Sequence, residues 1–316
     1  IPNMSGVSHY FLKLIESYLF IAVCAIALGL WFPEIFSRFG AYTTLMLQII
    51  FFLSSLKLEI SDVLCAGRKW KALLLVNVII LIVLPVVVYS VASLIVPPLA
   101  IALILLAAMP AGMSLPLMVD VIAGDRPLAL LVTISSSLLA PFTVPLVLSL
   151  LASTNVDLPL IDMMQRLLMV IVLPFVLAQM VRPLIRFNIQ KAAPSFKTVS
   201  LVLLGLLIAA SIAVHAGAIN GALSDLFTTI VVLFIFFVAI HVFSHLIFHS
   251  KPYKEQATIA ASVTFMNFTL AIYLAGLYIP DPRVLLALVL SIIPWATLLI
   301  PFKYATDKMK NRGMIS

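Results

Sequence analysis

Two prolines, a glycine and a serine interrupt an apolar run in the first half of the chain. Pro110, Gly112, Ser114 and Pro116 fall within 72–119, which contains no charged residue. Proline lacks a backbone N–H and clashes with the preceding turn, so a helix must kink or unwind there. Within a membrane, freed backbone groups are tolerated only where they are buried in protein or line a polar cavity. The sequence therefore predicts helix breaks at Pro110 and Pro116 with a binding site beside them.

A second polar stretch lies 156 residues further along, where Ser262, Thr264, Asn267 and Thr269 occupy another apolar segment. Four polar side chains within one membrane span are costly unless they face one another or water. Two interrupted helices that cross would direct their positive N-terminal ends at a common point, which suits an anion or a carboxylate. The residues expected to contact the substrate are Gly112, Met113, Ser114, Ser135, Thr264, Asn267, Thr269 and His215.

Asp120 and Ser262 are the candidates for ion or proton coupling. Asp120 is the only acidic residue inside a predicted span and follows Ser114 by six residues. A carboxyl group that is buried in a membrane favours its neutral form and can carry a proton. The alternative is that Asp120 lies near the cytoplasmic exit of its span, where it pairs with Arg126 or is hydrated.

Three histidines, His241, His245 and His249, are spaced by four and share one helical face. Metal chelation, proton relay and packing are all open for them. No cysteine or acidic residue on that face completes a metal site, so we expect no metal. No Ser-His-acid, two-aspartate or metalloprotease pattern falls within the apolar segments, so we expect no catalytic residues and no enzyme activity.

The elements that position these residues must be membrane helices. The chain is 64% hydrophobic and 10% charged, with a mean hydropathy of +1.23, whereas soluble domains carry about 25% charged residues. Its basic residues are scattered between apolar runs, which argues against nucleic-acid binding. Cys24 and Cys65 form neither a disulfide framework nor a zinc site. The expected partners are the lipid bilayer and a small organic anion or amphipath, with no cofactor and no obligate protein partner.

Charged residues bound nine uncharged runs, and the run at 72–119 is long enough for two spans. The sequence therefore predicts ten transmembrane helices. If both termini are cytoplasmic, sixteen of the nineteen Lys and Arg residues face the cytoplasm, and only Arg38, Arg166 and Arg283 do not. This bias predicts a multi-pass membrane protein with both termini inside.

An internal repeat is also visible. Asp125 and Asp281 are 156 residues apart, as are Ser135 and Ser291. Copies with an odd number of helices must lie in opposite orientations. We therefore predict an all-α membrane protein of ten transmembrane helices in two inverted five-helix repeats, with interrupted helices four and nine crossing near the midplane.

These features resemble the bile acid:sodium symporter family and its bacterial homologues. Met109-Pro110-Ala111-Gly112 resembles the family's Cys-Pro-Gly-Gly motif on helix four, and Met266-Asn267 stands where the family has Gln-Asn on helix nine. The resemblance covers nearly the whole chain and implies a panel domain beside a core domain. The expected boundaries are 1–70 (panel helices one and two), 71–153 (core helices three to five), 160–220 (panel helices six and seven) and 221–316 (core helices eight to ten and a basic tail).

The resemblance also implies secondary active transport of a small organic anion or amphipathic carboxylate by alternating access. The family's sodium-binding positions fall on Ser262, Met266, Leu115, Pro116 and Ile80, which offer a single side-chain oxygen between them. Because sodium requires several oxygen ligands, we expect transport without the family's sodium coupling, and proton coupling is open. An uncoupled facilitator is the alternative, and a membrane-embedded enzyme is the third.

The predicted cavity contains no arginine or lysine. The helix dipoles and hydroxyl groups would suffice for one carboxylate, and the apolar walls would accept a hydrophobic body. We therefore expect that multiply charged anions such as phosphate esters are not substrates.

Sodium should leave the stability of the purified protein unchanged, because the family's ligands are missing. A titration with millimolar sodium should give the same thermal unfolding temperature as a titration with potassium. Saturable stabilisation by sodium but not by potassium would contradict this expectation.

Overall fold

The computed structural model describes residues 5–58, 70–152, 158–185, 188–217, 219, 225–248, 251–298 and 300–304. These residues fold as helices and short connections, and no strand occurs among them. A helix satisfies its backbone N–H and C=O groups internally, which is what a segment surrounded by lipid requires. The predicted all-α class is confirmed.

The first half of the chain contains two long uninterrupted helices and several shorter ones. A 3₁₀ segment (Ser37–Tyr42) joins α2 to α3, and a π-helical turn (Ile79–Val83) joins α4 to α5. The helices are α1 (Ser5–Trp31), α2 (Pro33–Phe36), α3 (Thr43–Ser55), α4 (Trp70–Val78), α5 (Leu84–Ile95), α6 (Ala100–Ala107), α7 (Leu115–Val121) and α8 (Arg126–Ala152).

The second half has a similar order, with a π-helical turn (Leu168–Val172) that makes α9 and α10 one continuous segment. Its helices are α9 (Leu160–Leu167), α10 (Leu173–Val181), α11 (Ile189–Val214), α12 (Leu226–Ile247), α13 (Tyr253–Thr264), α14 (Phe268–Tyr278), α15 (Pro282–Leu290) and α16 (Ile292–Thr297).

The helix starts repeat along the chain. Adding 156 to the first residues of α2, α4 and α8 gives the first residues of α11, α12 and α15. Asp125 and Asp281 are the pair that indicated the repeat. Each accepts a backbone hydrogen bond at the start of the helix that follows it. The Asp125 carboxylate accepts a hydrogen bond from the Leu128 N–H at 3.0 Å, and the Asp281 carboxylate accepts one from the Arg283 N–H at 2.9 Å. Each aspartate thus stabilises the start of its helix.

Seven helical segments in the described part of the chain are long and apolar enough to cross a membrane. Three shorter apolar helices accompany them, at Tyr18–Trp31, Pro97–Ala107 and Phe268–Tyr278, where the sequence placed the remaining spans. Large apolar side chains lie on the outer surface: Leu94 is 83% exposed and Phe227 is 78% exposed. A soluble monomer rarely exposes contiguous apolar surface, whereas lipid covers it.

Two sets of close contacts illustrate how the helices pack. α6 and α15 are enclosed by neighbours, and every residue of 102–107 and 284–290 is buried. α1 lies along α11, and α11 also contacts α3. Small residues allow α1 and α11 to approach closely. A Cβ atom at Gly29 would lie 2.7 Å from the Ala209 carbonyl oxygen, and one at Gly205 would lie 2.8 Å from the Ile21 side chain.

Replacing Gly29 with alanine should destabilise the protein by about 1–3 kcal/mol, because the added methyl group meets rigid backbone. The matched control is Gly217→Ala, since no atom lies within 4 Å of a Cβ built at Gly217. Thermal unfolding of the purified variants measures both effects. Equal unfolding temperatures for the two variants would show that the α1–α11 contact is looser than described.

Candidate functional site

Two helices are unwound side by side. The first break, 108–114, separates α6 from α7, and the second break, 265–267, separates α13 from α14. Pro110 and Gly112 lie in the first break, as predicted. Pro116 does not, because it lies in the first turn of α7. Proline is tolerated there since that N–H has no partner within the helix, so Pro116 begins a helix where a break was predicted.

The breaks are joined through their backbones, and we refer to 108–114 and 265–267 together as the paired breaks. The Gly112 N–H donates to the Phe265 carbonyl oxygen at 2.7 Å, and the Asn267 N–H donates to the Pro110 carbonyl oxygen at 2.9 Å. These bonds satisfy groups that unwinding removes from the helices. A Cβ atom at Gly112 would lie 3.0 Å from the Phe265 oxygen, so only glycine permits this approach without a shift.

Side chains of α8 and α13 satisfy further backbone groups near the breaks. The Ala111 N–H donates to the Ser136 hydroxyl at 3.2 Å. The Asp125 N–H, in the turn between α7 and α8, donates to the Thr258 hydroxyl of α13 at 2.7 Å. The two interrupted helices are therefore held together at the breaks and again at the end of α7.

A cavity of about 680 Å³ opens beside the paired breaks. Residues of α1, α3 and α11 form its opposite wall, including Phe51 and Leu204. The paired breaks supply its inner end. The break residues and their immediate neighbours in the lining are Gly112, Met113, Ser114, Met266, Asn267, Phe268 and Thr269.

Five of the eight residues expected to contact the substrate line this cavity: Gly112, Met113, Ser114, Asn267 and Thr269. The Asn267 carboxamide oxygen accepts a hydrogen bond from the Leu270 N–H at 3.1 Å, which caps α14. In the part of the chain that the structure describes, the hydroxyl groups of Ser114 and Thr269 make no hydrogen bond, so both are available to a ligand.

The other three residues of the predicted set do not line the cavity, which corrects that set. The Ser135 hydroxyl accepts a hydrogen bond from the Asn77 side chain at 2.8 Å. Thr264 is fully buried, and its hydroxyl donates to the Ala260 carbonyl oxygen at 3.0 Å. His215 follows the end of α11, where a ring nitrogen lies 3.0 Å from the Ser211 carbonyl oxygen. Each polar group is satisfied within its own helix or by a neighbouring one.

The two coupling candidates lie in different surroundings. Asp120 is paired with Arg126 at 3.0 Å, and the two side chains are 40% and 56% exposed. Of the two alternatives for Asp120, the structure contains the pairing with Arg126, and such an exposed pair contributes about 0–1 kcal/mol. Ser262 is fully buried, and its hydroxyl donates to the Thr258 carbonyl oxygen at 2.7 Å.

The positions that would hold sodium in the related family do not fit that ion here. Ile80, Leu115 and Met266 are buried, and they carry no side-chain oxygen. Pro116 supplies no side-chain oxygen either. Ser262 alone offers a hydroxyl, so the set lacks both the number of oxygens and the charge that a hard cation prefers.

The histidine face is packed rather than open. His241 is buried, one ring nitrogen lies 2.7 Å from the Phe237 carbonyl oxygen, and the ring contacts Phe265 and Phe302 edge-on. The His245 carbonyl oxygen accepts from the Gln256 side chain at 3.1 Å, and His249 lies outside the described residues. Among those residues, no group of three His, Cys, Asp or Glu side chains is placed to hold a metal ion.

The cavity mouth is basic, which corrects the expectation that no lysine or arginine would be present. Lys57, Arg126, Arg182 and Lys197 all belong to the lining. The sequence placed these residues in cytoplasmic loops or at helix ends, and it placed the cavity only at mid-span. The usable signal was that Lys57, Arg182 and Lys197 lie at one end of three panel helices predicted to pack together.

Ser136→Ala should destabilise the protein by about 1–3 kcal/mol, because it leaves the buried Ala111 N–H without an acceptor. Ser137→Ala is the matched control, since the Ser137 hydroxyl is buried and has no hydrogen-bond partner. Chemical or thermal unfolding in detergent measures the difference. An equal loss in both variants, or no loss in Ser136→Ala, would contradict a supporting role for Ser136 at the first break.

Comparison with known proteins agrees with this architecture. A sequence profile of the SBF-like CPA transporter family matches residues 16–293, which include both breaks. A search of curated proteins finds no match. The resemblance inferred from the motifs around Pro110 and Asn267 is therefore confirmed. The chain belongs to the SBF-like CPA transporter family and is an integral, multi-pass membrane protein of the transporter class.

Proposed function

We propose that this protein is a secondary active transporter that moves a small organic anion or an amphipathic carboxylate across the membrane by alternating access. The cavity beside the paired breaks carries this proposal. Its inner end presents the free hydroxyl groups of Ser114 and Thr269, and its walls are largely apolar. A ligand site typically combines apolar walls with a few polar groups that fix orientation.

The substrate's acidic group lies against the paired breaks in this proposal. The hydroxyl groups of Ser114 and Thr269 donate hydrogen bonds to it, and bonds to a charged acceptor are stronger than neutral ones. The hydrophobic body then contacts Leu47, Phe51 and Leu204, which line the opposite wall. Gly112 and Met113 line the inner end of the cavity, but their side chains donate no hydrogen bonds.

We propose that the helices divide into a panel and a core. The panel consists of 1–70 and 160–220, and the core consists of 71–153 and 221–316. We propose ten spans in two inverted five-helix repeats, with the interrupted spans at positions four and nine. The 156-residue offset between helix starts supports this division, and five spans in each copy require opposite orientations.

Alternating access requires that the cavity be closed at one end while it is open at the other. Opposite the mouth, the Tyr278 hydroxyl of the core donates to the Asp162 carboxylate of the panel at 2.5 Å. The Tyr273 and Thr44 hydroxyl groups lie 3.0 Å apart in a second panel–core contact. The other ends of the same helices line the cavity. We propose that these contacts close the far side and separate when the mouth closes.

The basic mouth gives the proposed orientation. Lys57, Arg126, Arg182 and Lys197 lie together at one end of the molecule, and positive residues concentrate on the cytoplasmic side of membrane proteins. The cavity would then open to the cytoplasm, with both termini on the same side. A bacterial inner membrane is the proposed location.

We do not propose sodium coupling of the family's kind. The side chains at the family's sodium-binding positions offer too few oxygen ligands for the ion. A proton gradient is the proposed drive, but Asp120 is paired with Arg126 and 40% exposed, so it does not supply the buried carboxyl group that would carry the proton. The second candidate function is an uncoupled facilitator, which the loss of sodium ligands favours. We propose no enzyme activity for a member of this transporter family.

Ser114→Ala combined with Thr269→Val should weaken substrate binding by about 100-fold, because two hydrogen bonds to a charged group are lost. A thermal-shift screen of organic acids first identifies a ligand, and counterflow in proteoliposomes then measures transport. The control is Thr143→Val, whose hydroxyl bonds to the Leu139 carbonyl oxygen away from the cavity.

Full counterflow by the Ser114 and Thr269 double variant would contradict this substrate site. Accumulation against a concentration gradient separates the two candidate functions. A proton-coupled transporter accumulates substrate when a pH gradient is imposed, whereas a facilitator only equilibrates it.

A further inference from the structure

Two lysines at the cavity mouth have no carboxylate partner among the described residues. Lys57 follows α3, and Lys197 lies in α11 on the facing wall. The neighbouring arginines are already engaged. Arg126 pairs with Asp120 at 3.0 Å, and Arg182 donates to the Leu58 carbonyl oxygen at 2.8 Å.

The two ammonium groups repel each other electrostatically. Lys57 is exposed, but desolvation by the surrounding protein, and secondly the positive charge of Lys197, lower its pKa. The described lining contains four Lys and Arg side chains and no Asp or Glu, and Asp120 beside it pairs with Arg126. The mouth thus concentrates positive charge in a half-enclosed space, where electrostatic interactions are stronger than in open water.

We propose that Lys57 and Lys197 form a second anionic subsite and that the substrate class is an amphipath with a dianionic group, such as a phosphate monoester. This inference rests on the proposed transport function and names its substrate. A phosphate monoester carries a charge of about −1.5 to −2 near neutral pH and has three strong acceptor oxygens. Each lysine supplies a compact charge with three donors, which suits such a group.

The arrangement of the cavity sets the form of this ligand. The lysines lie at the mouth, the hydroxyl groups of Ser114 and Thr269 lie at the inner end, and apolar residues such as Phe51 lie between them. The volume of about 680 Å³ is within the usual range for a small-molecule site. The ligand therefore has a charged outer group and an apolar body, and a polar group at its inner end would add contacts with Ser114 and Thr269.

The same phosphate chemistry is available from a soluble ester or from the headgroup of phosphatidic acid. Isothermal titration in nanodiscs of neutral phosphatidylcholine, with octyl phosphate and octanoate as probes, tests the subsite. Parallel nanodiscs that contain phosphatidic acid identify the source. If a lipid headgroup is the natural occupant, phosphatidic acid displaces octyl phosphate, and if a soluble ester is the occupant, it does not.

Octyl phosphate should bind at least about tenfold more tightly than octanoate, because lysine contacts to a dianion are charge-assisted. Lys57→Gln and Lys197→Gln should each reduce that preference by about tenfold. The control is Lys191→Gln, an exposed lysine of α11 outside the lining, which should leave the preference unchanged.

Equal affinity for the two probes, or equal effects of Lys191→Gln and Lys57→Gln, would overturn the subsite. Counterflow separates this failure from failure of the proposed function. If octanoate exchanges in a manner that depends on Ser114 and Thr269, transport stands without the subsite. If the phosphate preference depends on both lysines but no probe exchanges, the subsite stands and transport fails.

Discussion

Unwound backbone inside a membrane must find hydrogen-bond partners, and in this protein two unwound segments supply them to each other. The bonds from Gly112 to Phe265 and from Asn267 to Pro110 join the paired breaks. Each break would be costly alone, because an unsatisfied backbone group in an apolar environment costs several kcal/mol. The inner end of the cavity therefore exists only because both helices are interrupted at the same place. The helices around them are arranged to enclose that point.

Much of the scaffold could be predicted from composition and spacing. Apolar runs bounded by charged residues predicted the helices, and Pro110 with Gly112 predicted the first break. The second break carries no proline, and it is held by the backbone of the first break and by the Asn267 side chain that caps α14. Pro116 was misplaced for a different reason. Proline in the first turn of a helix and proline in a break look alike in sequence.

The candidate site was only partly predictable. Ser135 and Thr264 were candidates beside Ser114 and Thr269, but they are engaged by Asn77 and by their own helix. Only packing decides which hydroxyls stay free. The basic mouth was missed because Lys57 and Lys197 are 140 residues apart and meet only when α3 packs against α11. Their positions near helix ends indicated cytoplasmic loops, whereas the cavity reaches to those ends.

The central claim is that the panel moves against the core while the paired breaks stay intact. Electron–electron distance measurements with two label pairs in nanodiscs test it most directly, one across the mouth at Lys191 and Lys254, the other across the far side at Ile161 and Leu277. All four side chains are exposed. We expect two populations, in which the mouth distance shortens as the far-side distance lengthens, with a shift between them when a transported ligand is added. A single, unchanged distance for both pairs with that ligand bound would contradict it.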